Sequence, residues 1–322
     1  MRCARWRFSR PENFSAHSRK DANRAKRRRL SKLCAPRHRP APYVPCARIN
    51  RISLVDSVAA LRYSLLVYLC SFFGGQPVLK DKVVVITGSG QGIGKHAAKT
   101  FAQEKAKVVI ADFNAELAKS SAAEIGQTTE TMAAVCDVRD ESSVKKMVDA
   151  VIARFGQIDV MMNNAAIVPH FAWNIPRWPL IADMPLDFWN RVVQTNLYGT
   201  FFGTKHVIPH MAKRKSGHII NLYGGGGVKP GGAGTYMVTK DGIRTFSRYV
   251  AEEVRDANIC VVTFSPRVPI ATETAPSEAR SRLPGPEVLG TGFVLCAELP
   301  MEQSGKCFAF DNGKLVLEEP RD

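Results

Sequence analysis

The stretch KVVVITGSGQGIG, residues 82–94, decides the fold of this chain. It begins with a run of β-branched apolar residues without polar alternation, as expected of a strand buried on both faces of a parallel sheet. Glycines follow at positions 88, 90, 92 and 94, and a helical pattern begins near Lys95. A strand, a glycine-rich turn and a helix in this order are typical of a dinucleotide-binding site.

Three glycines of this turn have separate predicted roles. Gly88 allows a sharp turn, Gly92 leaves room for the backbone to approach a pyrophosphate, and Gly94 allows the helix to pack closely. The amides that open the helix, at the positive end of its dipole, would bind the phosphates. The alternative is a glycine-rich turn without a ligand, since such turns are common.

The net charge of +16 is concentrated at the N-terminus. Residues 1–51 hold 13 Arg and 3 Lys against two acidic residues, a net +14, while residues 52–77 are neutral and residues 78–322 carry +2. We therefore predict a basic extension of low order, residues 1–77, followed by one globular domain, residues 78–322. The charge gives no reason to expect nucleic-acid binding by the globular domain.

Four interpretations of the extension stay open. Its Arg-rich, acid-poor composition suits an organelle transit peptide. The cluster RAKRRR, residues 24–29, suits a nuclear signal or a polyanion-binding arm. The apolar run at residues 63–73 suits a signal-type segment but is too short to span a bilayer. The fourth interpretation is a non-native extension from a start codon placed too far upstream.

The eight cysteines form no CxxC pair. This favours reduced thiols in an intracellular protein over a disulfide framework or a metal site. We expect a cytoplasmic location unless the extension directs the chain to an organelle, and we expect no membrane span.

Strand and helix patterns alternate through the rest of the chain. The predicted strands are residues 107–111, 131–136, 158–162, 218–222 and, as the last strand, 306–310; the predicted helices are 95–105, 116–124, 142–155, 187–206, 236–255 and 286–299. This alternation predicts an α/β fold, a doubly wound parallel sheet of Rossmann type with ligands at the carboxyl ends of the strands. An irregular aromatic segment at residues 167–185 suits a substrate wall, an oligomer contact or simple packing.

Two carboxylates follow predicted strands. Asp112 lies about 20 residues beyond the glycines, where a carboxylate can accept hydrogen bonds from the adenosine ribose and would repel a 2′-phosphate. No Lys or Arg at residues 89–91 offsets that repulsion, so we predict NAD rather than NADP. The alternative is a solvated Asp that ends a strand. Asp137 is a candidate to hydrogen-bond the adenine amino group.

Tyr236 and Lys240 lie one helical turn apart on the same face. A nearby ammonium stabilises a phenolate and lowers the pKa of the tyrosine. Such a tyrosine can exchange a proton with an alcohol or a carbonyl while a hydride passes to or from a nicotinamide, and Lys240 can also hold the nicotinamide ribose. Asn196 lies inside a predicted helix, where Asn is mildly unfavourable, which indicates a local role.

In these motifs and their order the chain resembles the short-chain dehydrogenase/reductase family. The matching stretches are TGSGQGIG at 87–94, Asp112, CDV at 136–138, NNAA at 163–166, Asn196, IINL at 219–222, YMVTK at 236–240 and SPRVPIAT at 265–272. The resemblance implies Tyr236 as catalytic acid/base, Lys240 as its electrostatic partner, Asn196 as the holder of a proton-relay water and Asn163 as a stabiliser of the central strand. Besides the glycines and the two aspartates, the residues that it implies for cofactor binding are Ser89, Gln91, Ile93, Val138, Asn164, Ala165, Ile270 and Thr272. It also implies a homodimer or homotetramer formed through the helices near residues 187–206 and 240–255.

The chain departs from the family pattern after Asn221. The family has a catalytic Ser two or three residues later, where this chain has Tyr223 and Gly224. By analogy with oxyanion-hole deletions, losing one such donor costs about 10²–10³ in rate. Tyr223 is the candidate to replace that hydroxyl. Arg267 stands where the family has Gly, which predicts strain if φ is positive there.

Three functions follow as hypotheses. The first is an NAD(H)-dependent oxidoreductase that interconverts a small alcohol and a ketone or aldehyde. The alternative is a dinucleotide-binding protein with little catalysis, acting as a redox-responsive or partner-binding module, and the missing Ser motivates it. The weakest hypothesis is nucleic-acid binding through the basic extension.

Overall fold

Strands and helices alternate through the residues that the computed structural model describes, which are 78–168, 179–224 and 233–318. The strands are β1 (Val83–Thr87), β2 (Lys107–Asp112), β3 (Thr131–Val135), β4 (Val160–Asn163), β5 (Gly217–Leu222), β6 (Ile259–Ser265), β7 (Cys307–Asp311) and β8 (Lys314–Leu317). The helices are α1 (Gly92–Gln103), α2 (Ala115–Ile125), α3 (Glu141–Phe155), α4 (Leu186–Val193), α5 (Gly199–Arg214), α6 (Gly234–Glu253), α7 (Ser277–Arg280) and α8 (Gly292–Ala297). The predicted extension and the aromatic residues 170–178 lie outside the described residues.

All eight strands form one sheet in the order β3-β2-β1-β4-β5-β6-β7-β8. Every neighbouring pair is parallel except β7 with β8, which is antiparallel. The strand order reverses beside β1, which pairs with β2 on one side and β4 on the other. A reversal of this kind opens a crevice at the carboxyl ends of the strands, where open α/β sheets bind ligands. The predicted doubly wound parallel sheet is confirmed.

Apolar side chains cover both faces of this sheet. In β1, Val84 and Ile86 belong to a core with α1, α2 and α8, whereas Val83 and Val85 belong to the core on the opposite face with α3, α5 and α6. All five residues of β1 are buried. This accounts for the unbroken apolar run in the sequence, because a strand covered on both faces has no solvent side for polar residues.

Two predicted helices differ from the structure. The predicted helix 187–206 is not regular, because a π-helical turn, Gln194–Tyr198, separates α4 from α5. The predicted helix 286–299 is a 3₁₀ turn, Pro286–Leu289, followed by α8. Gly290 separates them with φ +46°, and an added Cβ there would lie 2.4 Å from the Phe310 ring.

The strand at 306–310 is not the last of the chain. β8 follows it after a tight turn in which Asn312 and Gly313 have φ values of +48° and +79°. Asn-Gly is favoured in such hairpin turns because both residues tolerate positive φ. Among the described residues, no helix is long and apolar enough to cross a membrane.

Candidate active site

The glycine turn lies between β1 and α1, at the point where the strand order reverses. Gly88 and Gly92 have φ values of +63° and +59°, a conformation that side chains rarely adopt. An added Cβ at Gly94 would lie 2.3 Å from the Gly88 carbonyl oxygen. The helix therefore packs against the turn as closely as the glycine spacing predicts. Ser89, also in the turn, donates its hydroxyl to the Ile86 carbonyl.

The N-terminus of α1 binds a carboxylate in this structure. The Gly92 amide donates to Glu273 Oε2 at 2.8 Å. Gln91, the residue that precedes the helix, makes no side-chain capping bond, and Ile93 packs against the core behind the turn. An anionic oxygen is thus accommodated where the phosphates of a dinucleotide would be held, and the donors present fit such a group.

Asp112 ends β2 beside this turn. Its side chain is buried, with 5% of the residue exposed, so the alternative of a solvated Asp is wrong. Oδ2 accepts from the Gly90 amide at 3.0 Å and Oδ1 accepts from the Asn114 amide at 3.0 Å. The carboxylate therefore holds the turn and the start of α2 in place, in addition to any role towards a ribose.

Asp137, after β3, is engaged by its neighbour Arg139. The Arg139 guanidinium donates from Nη2 to Oδ2 at 2.6 Å and from Nε to Oδ1 at 2.9 Å. These hydrogen bonds lower the pKa of the Asp137 carboxyl below its ordinary value. An adenine amino group that donates to this carboxylate would have to compete with Arg139. Val138 is buried and packs against Gly199. A Cβ added at Gly199 would lie 2.9 Å from the Val138 side chain.

The pair Asn163–Asn164 connects the central strands. Asn163 Nδ2 donates to Asn221 Oδ1 at 2.8 Å, which joins β4 to β5. Asn164 Nδ2 donates to the carbonyls of Thr87 and Gly88, each at 2.9 Å. The Ala165 amide donates to Thr87 Oγ1 at 3.1 Å. The amide group of Asn164 thus fixes the glycine turn, a structural function that its sequence position alone did not indicate.

Asn196 lies in the π-helical turn between α4 and α5. Its side chain is fully buried. Oδ1 accepts from the Ile167 amide at 2.8 Å, and Nδ2 donates to the Ile167 carbonyl and to Thr239 Oγ1, each at 3.1 Å. Asn196 therefore joins the segment after β4 to the helix that carries Tyr236. Single π turns inside helices are frequent at functional sites.

Tyr236 and Lys240 lie buried in the first turns of α6. Lys240 Nζ donates to the Leu222 carbonyl at 2.9 Å and lies 5.6 Å from the centre of the Tyr236 ring. Burial lowers the pKa of the Lys240 ammonium to about 7. Burial, with a smaller contribution from Tyr223, raises the pKa of the Tyr236 phenol well above its ordinary value. The expected lowering of the phenol pKa is therefore absent in this arrangement, because burial disfavours both charged forms.

Tyr223 and Gly224 occupy the end of β5. The Tyr223 hydroxyl donates to Asp241 Oδ1 at 3.1 Å, on the helix turn that follows Lys240. Burial first, and then the charge of Asp241, raises the pKa of the Tyr223 phenol. An added Cβ at Gly224 would lie 3.6 Å from the Tyr236 hydroxyl, but φ there is +68°. The backbone at Gly224, beside the Tyr236 hydroxyl, thus favours glycine, and the hydroxyl of Tyr223 is bound to Asp241.

The segment after β6 carries Arg267 and two residues expected at the nicotinamide end, Ile270 and Thr272, and of these three only Thr272 is seen to contact the glycine turn. Arg267 has φ +60°, so the condition under which strain was expected at this position is met, and its guanidinium pairs with Glu318. Ile270 is buried in the core. An added Cβ at Gly92 would lie 3.2 Å from Thr272 Cγ2, so Thr272 packs on the glycine turn.

Glu273 and Asp241 are two site residues that the sequence patterns do not select. Each contacts a candidate residue far away in the chain, and no local pattern marks such contacts. Among the described residues, no group of three or more His, Cys, Asp or Glu side chains could hold a metal ion.

Comparisons with known proteins agree with the motifs. The chain matches the family model described as short chain dehydrogenase over residues 82–282. A mitochondrial borneol dehydrogenase of Lavandula x intermedia is 36% identical over 191 residues, 58% of this chain and 69% of that protein. A 3-oxoacyl-(acyl-carrier-protein) reductase of Thermotoga maritima is 34% identical over 254 residues, 74% of this chain and 99% of that protein.

Solved structures share the fold. A 3-ketoacyl-(acyl-carrier-protein) reductase of Brucella melitensis in complex with NADH has a TM-score of 0.63 at 30% identity, covering 73% of this chain and 98% of that one. An NAD⁺-bound xylitol dehydrogenase has a TM-score of 0.55 at 30% identity, covering 59% of this chain and 71% of that one.

Proposed function

The chain belongs to the short-chain dehydrogenase family, and from this premise we propose that it is an NAD(H)-dependent oxidoreductase of small alcohols and ketones or aldehydes. Residues 78–322 would form its catalytic domain. The observation that carries the proposal is the convergence of the glycine turn and the buried Tyr236–Lys240 pair on the carboxyl ends of one parallel sheet. Ligands bind at this edge in open α/β sheets.

The glycine turn would hold the phosphates of the cofactor through amides such as that of Gly92, and Asp112 would face its adenosine ribose. The preference for NAD over NADP rests on Asp112, whose buried carboxylate would repel a 2′-phosphate. The NADH and NAD⁺ complexes of the two related structures support the same choice. When bound, the nicotinamide ring of this cofactor supplies or accepts a hydride.

Tyr236 would transfer the proton. As an acid towards a carbonyl oxygen, it starts from the neutral phenol, which is the form that its burial favours. Lys240 Nζ lies 5.6 Å from the centre of the tyrosine ring, so its protonated form would stabilise the phenolate that remains, and the phenolate would in turn favour that protonated form. Asn196 would hold α6 in position against the segment after β4, because its side chain bonds both Ile167 and Thr239.

A second function, dinucleotide binding with little turnover, is favoured by the end of β5. A Ser hydroxyl is missing there, Gly224 has a positive φ, and the Tyr223 hydroxyl is bound to Asp241. Losing one donor to the reacting oxygen would reduce the rate by about 10²–10³. Such an enzyme would bind the cofactor normally and turn over slowly.

The experiment that separates the two functions measures NADH binding and NADH oxidation on one sample of the full chain. The oxidation assay uses a panel of ketones and aldehydes, with NADPH as the competing cofactor. We expect binding that favours NADH, with turnover of at least one carbonyl compound. Binding without turnover would support the second function, and an absence of binding would contradict both.

We also propose that the protein is a homo-oligomer that associates through α5 and α6. Exposed aromatic side chains on or beside these helices support this, namely Tyr198, Phe201 and Tyr249. Large exposed apolar groups in one region are typical of protein interfaces. Light scattering after size exclusion should give the mass of a dimer or tetramer, and the mass of a monomer would contradict the proposal.

A further inference from the structure

Glu273 reaches the glycine turn from the other half of the chain. It lies between Ile270 and Ala275, both of which are buried and anchor the segment that follows β6. The residue itself is exposed, yet its Oε2 accepts from the Gly92 amide at 2.8 Å across 181 residues of sequence. The neighbouring Thr272 packs on the same glycine, with its Cγ2 3.2 Å from the position of an added Cβ.

The contact supplies what α1 lacks. The helix has no acidic residue in its first turn and no side-chain cap from Gln91. Helix N-termini are stabilised by an anionic acceptor, through their free amides and the positive end of the dipole. The Glu273 carboxylate provides that acceptor.

A cofactor phosphate bound by the same amide would meet this carboxylate. One N–H cannot donate fully to two anions, and like charges a few ångströms apart repel each other. We infer that Glu273 occupies the phosphate position at the N-terminus of α1 until the cofactor arrives, and that its departure is part of cofactor binding. Glu273 thereby sets the affinity for the dinucleotide. This inference rests on the proposed function, since it concerns the cofactor of that same site.

The test compares NADH affinity in the full chain for the wild type, Glu273→Gln and Glu278→Gln, by fluorescence titration. Glu278 is exposed in α7, in the same segment, so its replacement removes the same charge without touching Gly92. Glu273→Gln removes the charged competitor for the Gly92 amide, so we expect it to bind NADH roughly 10-fold more tightly. Glu278→Gln should match the wild type within about 2-fold.

Equal NADH affinities in all three proteins would overturn the inference and leave the proposed function standing. An equal gain in both variants would also overturn it, because the effect would then be one of general charge. Failure of all three proteins to bind NADH would overturn the proposed function itself, and the inference with it.

Discussion

The two halves of this molecule hold their polar groups in different ways. In the nucleotide half, residues 78–168, the backbone amides of Gly90 and Gly92 donate to carboxylates that come from other segments. In the catalytic half, residues 179–318, the polar groups are buried side chains, and Lys240 and Tyr223 are bound to other protein groups. In the backbone site the donors are set by the φ angles of the glycines and are held by Asp112 and Asn164. In the side-chain site, burial by distant residues also sets the charge state of the donors.

The largest effect on cofactor binding is expected from a change inside the turn, Gly94→Ala. Its Cβ would lie 2.3 Å from the Gly88 carbonyl oxygen, which is backbone and cannot move aside cheaply. Overpacking of this kind costs about 1–3 kcal/mol. If the turn shifts to relieve it, NADH binding weakens by roughly 10- to 100-fold. NADH titration and urea unfolding measure the two effects.

Gly234→Ala is the matched control, because an added Cβ there has no heavy atom within 4 Å. It should leave the free energy of unfolding nearly unchanged. If Gly94→Ala and Gly234→Ala have equal NADH affinities and equal free energies of unfolding, the close approach of α1 to the turn is needed neither for binding nor for stability. That result would contradict the contrast drawn between the two halves.

The second prediction concerns the buried ammonium of the catalytic half. The pKa of Lys240 is about 7 in the folded chain, against 10.5 for an ordinary lysine. Between these values the unfolded chain binds one proton more, so this group makes the wild type more stable as the pH rises. The stability of Lys240→Met relative to the wild type should therefore fall by about 1.4 kcal/mol per pH unit in this window.

Urea unfolding at about pH 7.5 and about pH 9.5 measures the free energies of unfolding of Lys240→Met and the wild type. The difference between the two proteins should change by about 2–3 kcal/mol between these pH values. Lys213→Met is the control, because Lys213 is exposed near the end of α5. A difference that stays constant with pH would show that Lys240 is charged in the fold at both values, which would contradict this description of the catalytic half.

The smallest effect is expected at Asp112→Ala. The variant loses an acceptor for two amides and the charge that would repel a 2′-phosphate. We expect NADH to bind roughly 10-fold more weakly, in line with one lost charged hydrogen bond, and the preference over NADPH to decrease. Asp149→Ala, exposed in α3, controls for the loss of charge. Unchanged selectivity would limit Asp112 to holding the turn.

The sequence predicts the nucleotide half well because its signals are local. The apolar run of β1, the glycines and the position of Asp112 each follow from neighbours in the chain, and the structure has β1, the turn and α1 in that order. The alternation of strands and helices was likewise sufficient to predict the parallel sheet.

The catalytic half was predicted less well because tertiary contacts decide it. Asn196, in the π-helical turn, makes side-chain hydrogen bonds to Ile167 and Thr239, and neither partner is near it in sequence. Helix spacing correctly put Lys240 beside Tyr236, but spacing carries no information about burial, which reverses the expected shift of the phenol pKa. The sequence patterns do not predict β8, because a strand of four residues after an Asn-Gly turn is too short to show a recognisable alternation.

The central claim is that Tyr236 transfers the proton although the usual Ser is missing. The direct measurement is the rate of NADH oxidation by Tyr236→Phe with the best carbonyl substrate, beside NADH binding on the same sample. Tyr249→Phe is the control, since Tyr249 lies on the same helix and is 62% exposed. We predict that Tyr236→Phe loses roughly 10²–10⁴ in rate while NADH affinity is kept and Tyr249→Phe is unaffected. Turnover by Tyr236→Phe at the wild-type rate would contradict the account.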